Sequence, residues 1–273
     1  QFNPVAIPLK NQSQRHSHFA KRQNLYERHL NLPLALLQDR SILEFGCNSG
    51  ENALVLAEIG ANLTLVEPNE QVIPQLRSLF QDFGLEERIS ALVHSDIEAF
   101  TSDRLYDVIL AEGFLFTLPD RDEMVQKISQ LLNPRGFTVI SFNDRYGLLL
   151  EMTRRAILWR CYQLANINDE HSDEALTIAK QLYEEDFSRL NASRPFAAWW
   201  KDVLVNPFLT SSYFWSYSDL IDLGKSCNLE FYSSSPKWDE IDSFKWYKNV
   251  LSSESRCTIL LDRWRQFFPF FLT

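Results

Sequence analysis

SILEFGCNSGEN, residues 41–52, is the stretch that decides the fold of this chain. It begins with a short apolar strand, Ile42–Phe45, which carries an acidic residue, Glu44. Gly46 and Gly50 then form a tight turn, and a helix is predicted from about Asn52. Small residues in a strand-to-helix turn let the backbone approach a ligand, and the free N–H groups of the helix favour polar groups of a cofactor. The stretch therefore predicts a cofactor site at the carboxyl end of the strand.

The alternation of strands and helices continues to residue 142. Further strands are predicted at 62–66, 89–94, 106–112 and 137–142, and helices at 52–59, 70–83 and 120–132. Strands separated by helices of this length form parallel sheets with right-handed crossovers. The predicted fold class is therefore α/β: a Rossmann-like, doubly wound, mostly parallel sheet with an N-terminal helical arm and a helical, aromatic-rich insertion after the fifth strand.

The flanking segments differ in character from this core. We expect a loop over residues 1–18 and a helical region over 19–37 that Pro33 breaks. After the fifth strand, helices are predicted at 148–164 and 172–189, followed by many aromatic residues.

The sheet pattern is expected to resume after the insertion. Ser218 is predicted to cap a helix that runs to about Cys227, and residues 229–233 and 256–261 to form strands. The predicted organisation is an arm over the active site (1–39), a cofactor-binding core (40–146), a lid (147–217), and the rest of the core with the C-terminal tail (218–273).

Charge and cysteine content exclude several classes of protein. The net charge of −9 disfavours nucleic acid as a partner, because a phosphate polymer would be repelled. The four cysteines form no CxxC pair, so neither a zinc site nor a disulfide framework is expected. No run of about 18 apolar residues predicts a membrane span, and no signal peptide is visible. We expect a cytoplasmic protein, monomeric or homodimeric, that does not bind membranes.

Residues 42–50 resemble the first motif of the class I S-adenosyl-L-methionine (SAM)-dependent methyltransferases, hydrophobic-hydrophobic-(Asp/Glu)-x-Gly-x-Gly-x-Gly. Asn48 replaces the middle glycine, and asparagine tolerates a left-handed backbone better than most residues. Residues 106–112 are similar to the fourth strand of that family, and 131–136 to the turn before the fifth. The resemblance covers most of residues 40–142. It implies SAM as the cofactor and S-adenosyl-L-homocysteine (SAH) as the product.

The resemblance also implies individual roles at the strand ends. Glu67 is expected to accept hydrogen bonds from two ribose hydroxyls, Asp96 to meet the adenine amino group, and Ile97 to offer its backbone N–H to the ring. The expected cofactor-binding residues are Glu44, Gly46, Asn48, Gly50, Glu67, Pro68, Asp96, Ile97 and Ala111.

A nicotinamide-dependent dehydrogenase is the alternative interpretation of the glycine loop. Its fingerprint is Gly-x-Gly-x-x-Gly, whereas this chain has Gly46-x-x-x-Gly50. Glu67 would fit either cofactor. The glycine spacing and the later motifs favour SAM.

Methyl transfer requires an aligned nucleophile, exclusion of water and, for an oxygen nucleophile, removal of a proton. It requires no metal, and no cluster of metal ligands is visible. The candidate catalytic residues are His29, Tyr26 and Glu112, since histidine is the natural base at neutral pH. Two alternatives stay open: Tyr26 touches the SAM carboxylate instead, and Glu112 only stabilises the end of a strand.

The substrate is expected above the fourth and fifth strands, under the arm and the lid. The lining candidates are His16, His18, Phe114, Asn143, Tyr146, Trp199, Trp200, Tyr213 and Trp215. The alternative for the aromatic residues is that they form the core of the insertion itself.

Three functions follow from these observations. The first is methyl transfer to oxygen or nitrogen of a small organic metabolite of natural-product or sugar type, since an aromatic lid suits a small ligand. The second is methylation of a peptide or protein, and the third is a non-catalytic module that keeps the fold. Methylation of nucleic acid is disfavoured, because Ala111-Glu112-Gly113-Phe114 stands where an Asn-Pro-Pro-Tyr or Asp-Pro-Pro-Tyr motif would be.

Overall fold

A computed structural model of the protein describes residues 9, 12–189, 195–237 and 253–268. Within them, five parallel strands form one sheet in the order β3-β2-β1-β4-β5. The strands are β1 (Ser41–Phe45), β2 (Asn62–Glu67), β3 (Ile89–His94), β4 (Tyr106–Ala111) and β5 (Leu132–Ile140). This order places the chain reversal between β1 and β4, where ligands bind in doubly wound sheets. The predicted Rossmann-like fold class is confirmed.

Helices cover both faces of the sheet and build the arm and the lid. They are α1 (Gln12–Gln23), α2 (Glu51–Glu58), α3 (Ile73–Asp82), α4 (Arg121–Leu131), α5 (Leu149–Leu164), α6 (Asp173–Ser188), α7 (Phe196–Trp199), α8 (Tyr217–Ser226) and α9 (Ser253–Phe267). A π-helical segment, Asn24–His29, continues α1, and a second, Trp200–Leu204, continues α7. No helix among the described residues is long and apolar enough to cross a membrane.

The core lies on both faces of the sheet because the central strands are apolar on both sides. Ile42 packs on one face with Leu76 and Phe80 of α3. Leu43 packs on the other face with Val125 of α4 and its neighbours. Strands that are buried on both faces read as continuous apolar runs, which is why the sequence pattern identified β1 and β4.

Asp107 fastens the amino end of the sheet. One of its carboxylate oxygens accepts hydrogen bonds from the backbone N–H and the hydroxyl of Ser41, each at 3.0 Å. The other oxygen accepts one from the side-chain amide of Asn133 at 3.0 Å. Burial acts to raise the pKa of Asp107, but these three donors and Arg40 lower it below its ordinary value. The amino ends of β1, β4 and β5 are thereby joined to one another. The predicted cofactor-binding residues lie at the opposite, carboxyl ends of the strands.

The insertion has a hydrophobic core of its own. Tyr162 of α5 donates to the carbonyl of Ala175 at 2.9 Å and accepts from the indole of Trp200 at 3.0 Å. Leu158 and Ala179 are fully buried in the same cluster. Because these contacts join the helices of the insertion to one another, the lid packs as one unit.

The structure corrects three predictions on the C-terminal side. Residues 229–233 form no strand, and the predicted strand at 256–261 lies within α9, since short apolar runs do not separate strand from helix. Cys257, Leu260 and Trp264 are buried at helical spacing on one side of α9.

The cap of α8 is the third correction. Ser216, not Ser218, accepts from the N–H of Asp219, at 3.2 Å, and the Asp219 carboxylate accepts from Ser216 N–H at 2.8 Å. This reciprocal pair is a capping box, and it places the cap two residues earlier than predicted.

Element boundaries differ from the predictions at two further places. The first helix begins at Gln12 inside the predicted loop, and residues 1–8, 10 and 11 lie outside the described part. Strand β5 begins at Leu132 rather than 137, with an irregular register opposite Tyr106 and Val108. The first helical segment of the arm ends at His29, and a short 3-10 helix, Leu34–Leu37, follows Pro33, as expected for a proline that breaks a helix.

Candidate active site

A cavity of about 680 Å³ opens at the carboxyl ends of all five strands of this sheet. Ten of the predicted site residues line it, and they come mainly from the turns after these strands. Those ten are Glu44, Gly46, Asn48, Glu67, Pro68, Asp96, Ile97, Glu112, Phe114 and Asn143.

The glycine loop bends through three left-handed residues. Gly46, Asn48 and Gly50 have φ of +66°, +50° and +88°. A Cβ on Gly46 would lie 2.9 Å from the ring of Phe114, so only glycine fits there without displacement. Asn48 adopts the left-handed conformation that a glycine would otherwise supply, so the departure from the motif keeps the turn.

Glu67 holds this loop from the end of β2. One of its carboxylate oxygens accepts from the N–H of Asn48 at 2.6 Å, and the other from the N–H of Asn69 at 2.9 Å. Burial raises the pKa of the Glu67 carboxyl, and the two backbone donors counteract that effect. A carboxylate has about four acceptor positions, so two remain for ligand hydroxyls.

Glu44 is a buried carboxylate with an unsatisfied atom. Its side chain is 4% exposed, and its Oε2 has no hydrogen-bond partner among the described residues. Burial, and next the charge of Glu112, raise the pKa of Glu44 to about 8. A cationic group entering the cavity would satisfy Oε2 and favour the ionised carboxylate.

The residues at this end of the cavity fit SAM. Glu44 suits its ammonium group, and Glu67 suits its ribose hydroxyls. Asp96 is exposed to the cavity, although one oxygen already accepts from the N–H of Ala99 at 2.7 Å, and Ile97 is buried beside it.

Two of the predicted cofactor residues do not line the cavity. Gly50 packs on Leu76, and a Cβ at this glycine would lie 3.0 Å from that side chain. Ala111 is fully buried within the sheet. Both positions therefore support the site from behind, through the loop and the strand that they belong to.

The arm brings a buried cluster of charged and polar groups to the cavity. Arg22 of α1 donates to both carboxylate oxygens of Glu112, at 2.8 and 2.7 Å, and to the Tyr26 hydroxyl at 2.7 Å. Tyr26 is fully buried, and its hydroxyl lies 3.4 Å from Glu112. Burial and the negative charges of Glu112 and Glu44 raise the pKa of Tyr26. Tyr26 thus reaches the cavity only through Glu112.

The arm histidines do not line the cavity. His29 Nδ1 lies 3.0 Å from the hydroxyl of Ser235, on the side of the C-terminal segment. His18 is buried with Nε2 3.1 Å from the carbonyl of Glu51, and burial lowers its pKa. His16 is exposed. The structure therefore does not bring the predicted histidine base His29 to the strand ends.

Apart from Phe114, the predicted lining aromatics lie in packing positions outside the cavity. Trp199 stacks with Phe187 and Phe196 at centroid distances of 5.2 and 5.5 Å, and Trp200 is buried in the lid core. Tyr146 packs on Trp264 at 5.3 Å.

Two aromatics at the end of the lid contact α4. The indole of Trp215 donates to Asp122 at 2.9 Å, and Arg121 lies over the rings of Tyr213 and Trp215. Trp215 is buried in the core of the sheet, so the alternative that these aromatics form the core of the insertion itself describes Trp199 and Trp200 but not Trp215.

Sequence reasoning missed the residues that cover the cavity. They come from the turn after β4 and from the end of the lid: Phe116, Thr117, Leu118, Asp202, Val203, Asn206, Phe208 and Leu209. Arg155 of α5 positions the last of these by donating to the carbonyls of Val203, Asn206 and Leu209, at 3.3, 2.8 and 3.2 Å. No local motif marks such a contact, because its partners are about fifty residues apart.

Arg22 was also missed. Its one signal in the sequence is the spacing of four residues from Tyr26, which places both on one face of a helix. Among the described residues, no group of three or more histidine, cysteine or acidic side chains could hold a metal ion.

Comparison with known proteins identifies the family. Residues 16–189, more than half of the chain, match the family model described as methyltransferase domain. Trans-aconitate 2-methyltransferase of Escherichia coli O1:K1 / APEC is 24% identical over 144 residues, which are 52% of this chain and 54% of that protein. An uncharacterized protein of Haemophilus influenzae is 25% identical over 127 residues, 44% of this chain and 51% of that protein. The chain spans about half the length of these curated relatives.

A solved structure shares the fold over nearly the whole chain. The structure of PKMT2 from Rickettsia typhi in complex with AdoHcy superimposes with a TM-score of 0.59 at 17% identity, covering 91% of this chain and 50% of that one. The likeness shows the fold alone. The family match decides between SAM and a nicotinamide cofactor in favour of SAM. The chain therefore belongs to the methyltransferase domain family, as a class I domain whose cofactor is S-adenosyl-L-methionine.

Proposed function

We propose that this protein transfers a methyl group from SAM to oxygen or nitrogen of a small organic molecule, by in-line displacement. The observation that carries the proposal is one cavity of about 680 Å³ that runs from the cofactor residues to an apolar cover. Ligand cavities for small molecules measure about 300–1,000 Å³ and are mostly apolar with a few polar groups. Phe114, Phe116, Phe208 and Leu209 supply apolar lining beyond the strand ends.

The chain's own residues have distinct tasks in this reaction. SAM, when bound, supplies a methyl group that its sulfonium sulfur has already activated. Glu44 would bind the ammonium group and Glu67 the ribose hydroxyls. The turn after β4 and the end of the lid would exclude water and hold the nucleophile in line with the methyl group.

The polar lining supports an uncharged or cationic substrate. None of the described lining residues is lysine, arginine or histidine. The acidic lining residues are Glu44, Glu51, Glu67, Asp96, Glu98, Glu112 and Asp202. A substrate with several carboxylates, as the name of the Escherichia coli relative implies for that enzyme, would be repelled here. An amine that arrives neutral needs no base to attack, so the lack of a described lining histidine favours nitrogen over oxygen.

A substrate panel tests the proposal. Purified protein would be incubated with SAM and with matched aromatic amines, alcohols and carboxylates of the same carbon skeleton, and SAH formation measured. We expect turnover with amines or alcohols and none with the carboxylates. Preferential turnover of the carboxylates, or of peptides included as a further arm, would contradict the proposal. Tight SAH binding without turnover of any compound would support the non-catalytic module instead.

A further inference from the structure

Arg22 lies between the arm and the cavity, paired with Glu112. Its side chain is 10% exposed, and its two terminal nitrogens contact both oxygens of Glu112. The guanidinium also lies over the ring of Tyr26, 4.9 Å from the centroid. A planar guanidinium held on a ring and bonded to both carboxylate oxygens fixes the carboxylate in one orientation. Glu112 lines the cavity, so the orientation that Arg22 fixes is that of a group in the active site.

Two carboxylates lie within the electrostatic reach of this single guanidinium: the partly buried Glu112, which it bonds, and the buried Glu44. Glu44 is near the end of β1, and Glu112 follows the end of β4, the neighbouring strand, where Phe45 pairs with Ala111. Both oxygens of Glu112 are bonded to Arg22, while Oε2 of Glu44 has no partner among the described residues. The three charges are therefore unbalanced by one negative charge when both carboxylates are ionised. Buried charges are tolerated when they are paired, so the set lacks one cation.

We propose that Arg22 is a positioning residue of the active site: it fixes Glu112 and compensates its charge, so that Glu44 can ionise and receive one cationic group, the ammonium of SAM or SAH. The inference rests on the proposed function, because it assumes that this cavity binds SAM. It makes docking of the arm a condition for cofactor binding. On binding, the Glu44 carboxyl releases its proton to solvent, and the carboxylate pairs with the incoming ammonium.

The proposal predicts a distinctive pH dependence. The groups that act on Glu44 are Glu112 just after β4, Arg22 on α1, Glu51 on α2 and Glu67 on β2. Burial and the carboxylates raise the pKa of Glu44, to about 8, and Arg22 lowers it. SAH affinity should therefore rise with pH until Glu44 is ionised. Removal of Arg22 should move that rise to higher pH, whereas loss of a purely structural contact would weaken binding equally at every pH.

SAH titration calorimetry between pH 6 and 9 tests this inference in the full chain. Arg22→Met should weaken SAH binding at least tenfold at pH 7 and move the rise upward. Arg22→Lys, which keeps the charge but not the two parallel contacts, should lose less and keep the profile. Arg15→Met is the matched control, because Arg15 lies on α1 and packs on Phe83, away from the cavity. It should bind within twofold of the wild type.

A double variant separates positioning from support of the fold. Arg22→Met combined with Glu112→Gln removes both charges, so it should recover most of the lost affinity and move the profile back. The inference would be overturned if the double variant did not recover SAH affinity. It would also be overturned if Arg22→Met had the same SAH affinity and pH profile as the Arg15→Met control. If Arg22→Met does not fold, the double variant and Arg22→Lys give the same decision. A wild type that does not bind SAH would instead refute the proposed function.

Discussion

The two ends of the cavity are built in different ways. At the cofactor end, the lining comes from turns that follow neighbouring strands, and the sheet itself brings Glu44 and Glu67 together. At the covered end, the lining comes from residues 202–209, which Arg155 and Trp159 of α5 hold by their backbone carbonyls. The cofactor end is supported by the hydrophobic core of the sheet. The covered end is supported by the separate core of the insertion. Under the proposed function, the end that takes the substrate can therefore vary while the residues at the cofactor end stay the same.

Disruption of the lid core should have the largest effect, because it should destabilise the covered end and leave the cofactor end intact. Trp200→Ala deletes a buried indole and its hydrogen bond to Tyr162, and should destabilise the lid by about 3–5 kcal/mol. Hydrogen exchange should show loss of protection in α5 and α6 while the sheet stays protected. SAH affinity should change less than threefold. A loss of sheet protection would show that the two ends are one cooperative unit.

A substitution in the glycine loop should have the opposite pattern. Gly46→Ala places a Cβ 2.9 Å from Phe114 at a φ of +66°, so it combines a clash with strain of about 1–3 kcal/mol. Calorimetry should show SAH affinity reduced at least tenfold, with hydrogen exchange in the lid unchanged. Gly84→Ala is the control, because Gly84 has a φ of +64° and no atom within 4 Å of the added Cβ. Equal losses in both variants would mean that strain alone, not the approach to the site, accounts for the effect.

Glu44→Gln should change stability in a pH-dependent way. The pKa of Glu44 in the folded protein, about 8, lies above its ordinary value of 4.5, so the folded state holds a proton that the unfolded chain releases. The free energy of unfolding of the wild type should therefore decrease as pH rises from about 4.5 to 8. The variant lacks this decrease and should be more stable than the wild type at pH 8.5, by more than about 1 kcal/mol, and similar at pH 5. Chemical denaturation of both proteins at pH 5 and 8.5 measures these free energies. An equal difference between variant and wild type at the two pH values would contradict the prediction.

Asn48→Gly should have the smallest effect. Asn48 already has a φ of +50°, and its contact with Glu67 uses the backbone N–H, which glycine retains. SAH affinity should stay within about threefold, because Gly adopts this backbone freely. A loss of tenfold or more would show that the asparagine side chain contacts the cofactor or the substrate.

Prediction from sequence succeeded where structure is local. The strand at 89–94 and the turn around Asn48 follow from short-range patterns, and the acidic residues at strand ends share one edge because parallel strands do. His29 was placed wrongly relative to the cavity because periodicity gives the face of a helix but not the neighbour that it meets. Arg22 and Phe208 depend on contacts between distant segments, which one sequence does not reveal. The predicted boundaries of the arm, core and lid stay a prediction.

The fastening of the sheet by Asp107 has a consequence for how this chain can diversify. Ser41, Asp107 and Asn133 join three strands at the edge away from the cavity, and none of them lines it. The side-chain hydrogen bonds that join the starts of these strands are thus separated in space from the side chains that line the cavity. Leu204 and Val205 belong to the core of the insertion, whereas Phe208 lines the cavity and is 48% exposed. Under the proposed function, a directed library for new substrates would therefore begin at Phe208, where substitution disturbs neither that core nor the hydrogen bonds of Asp107.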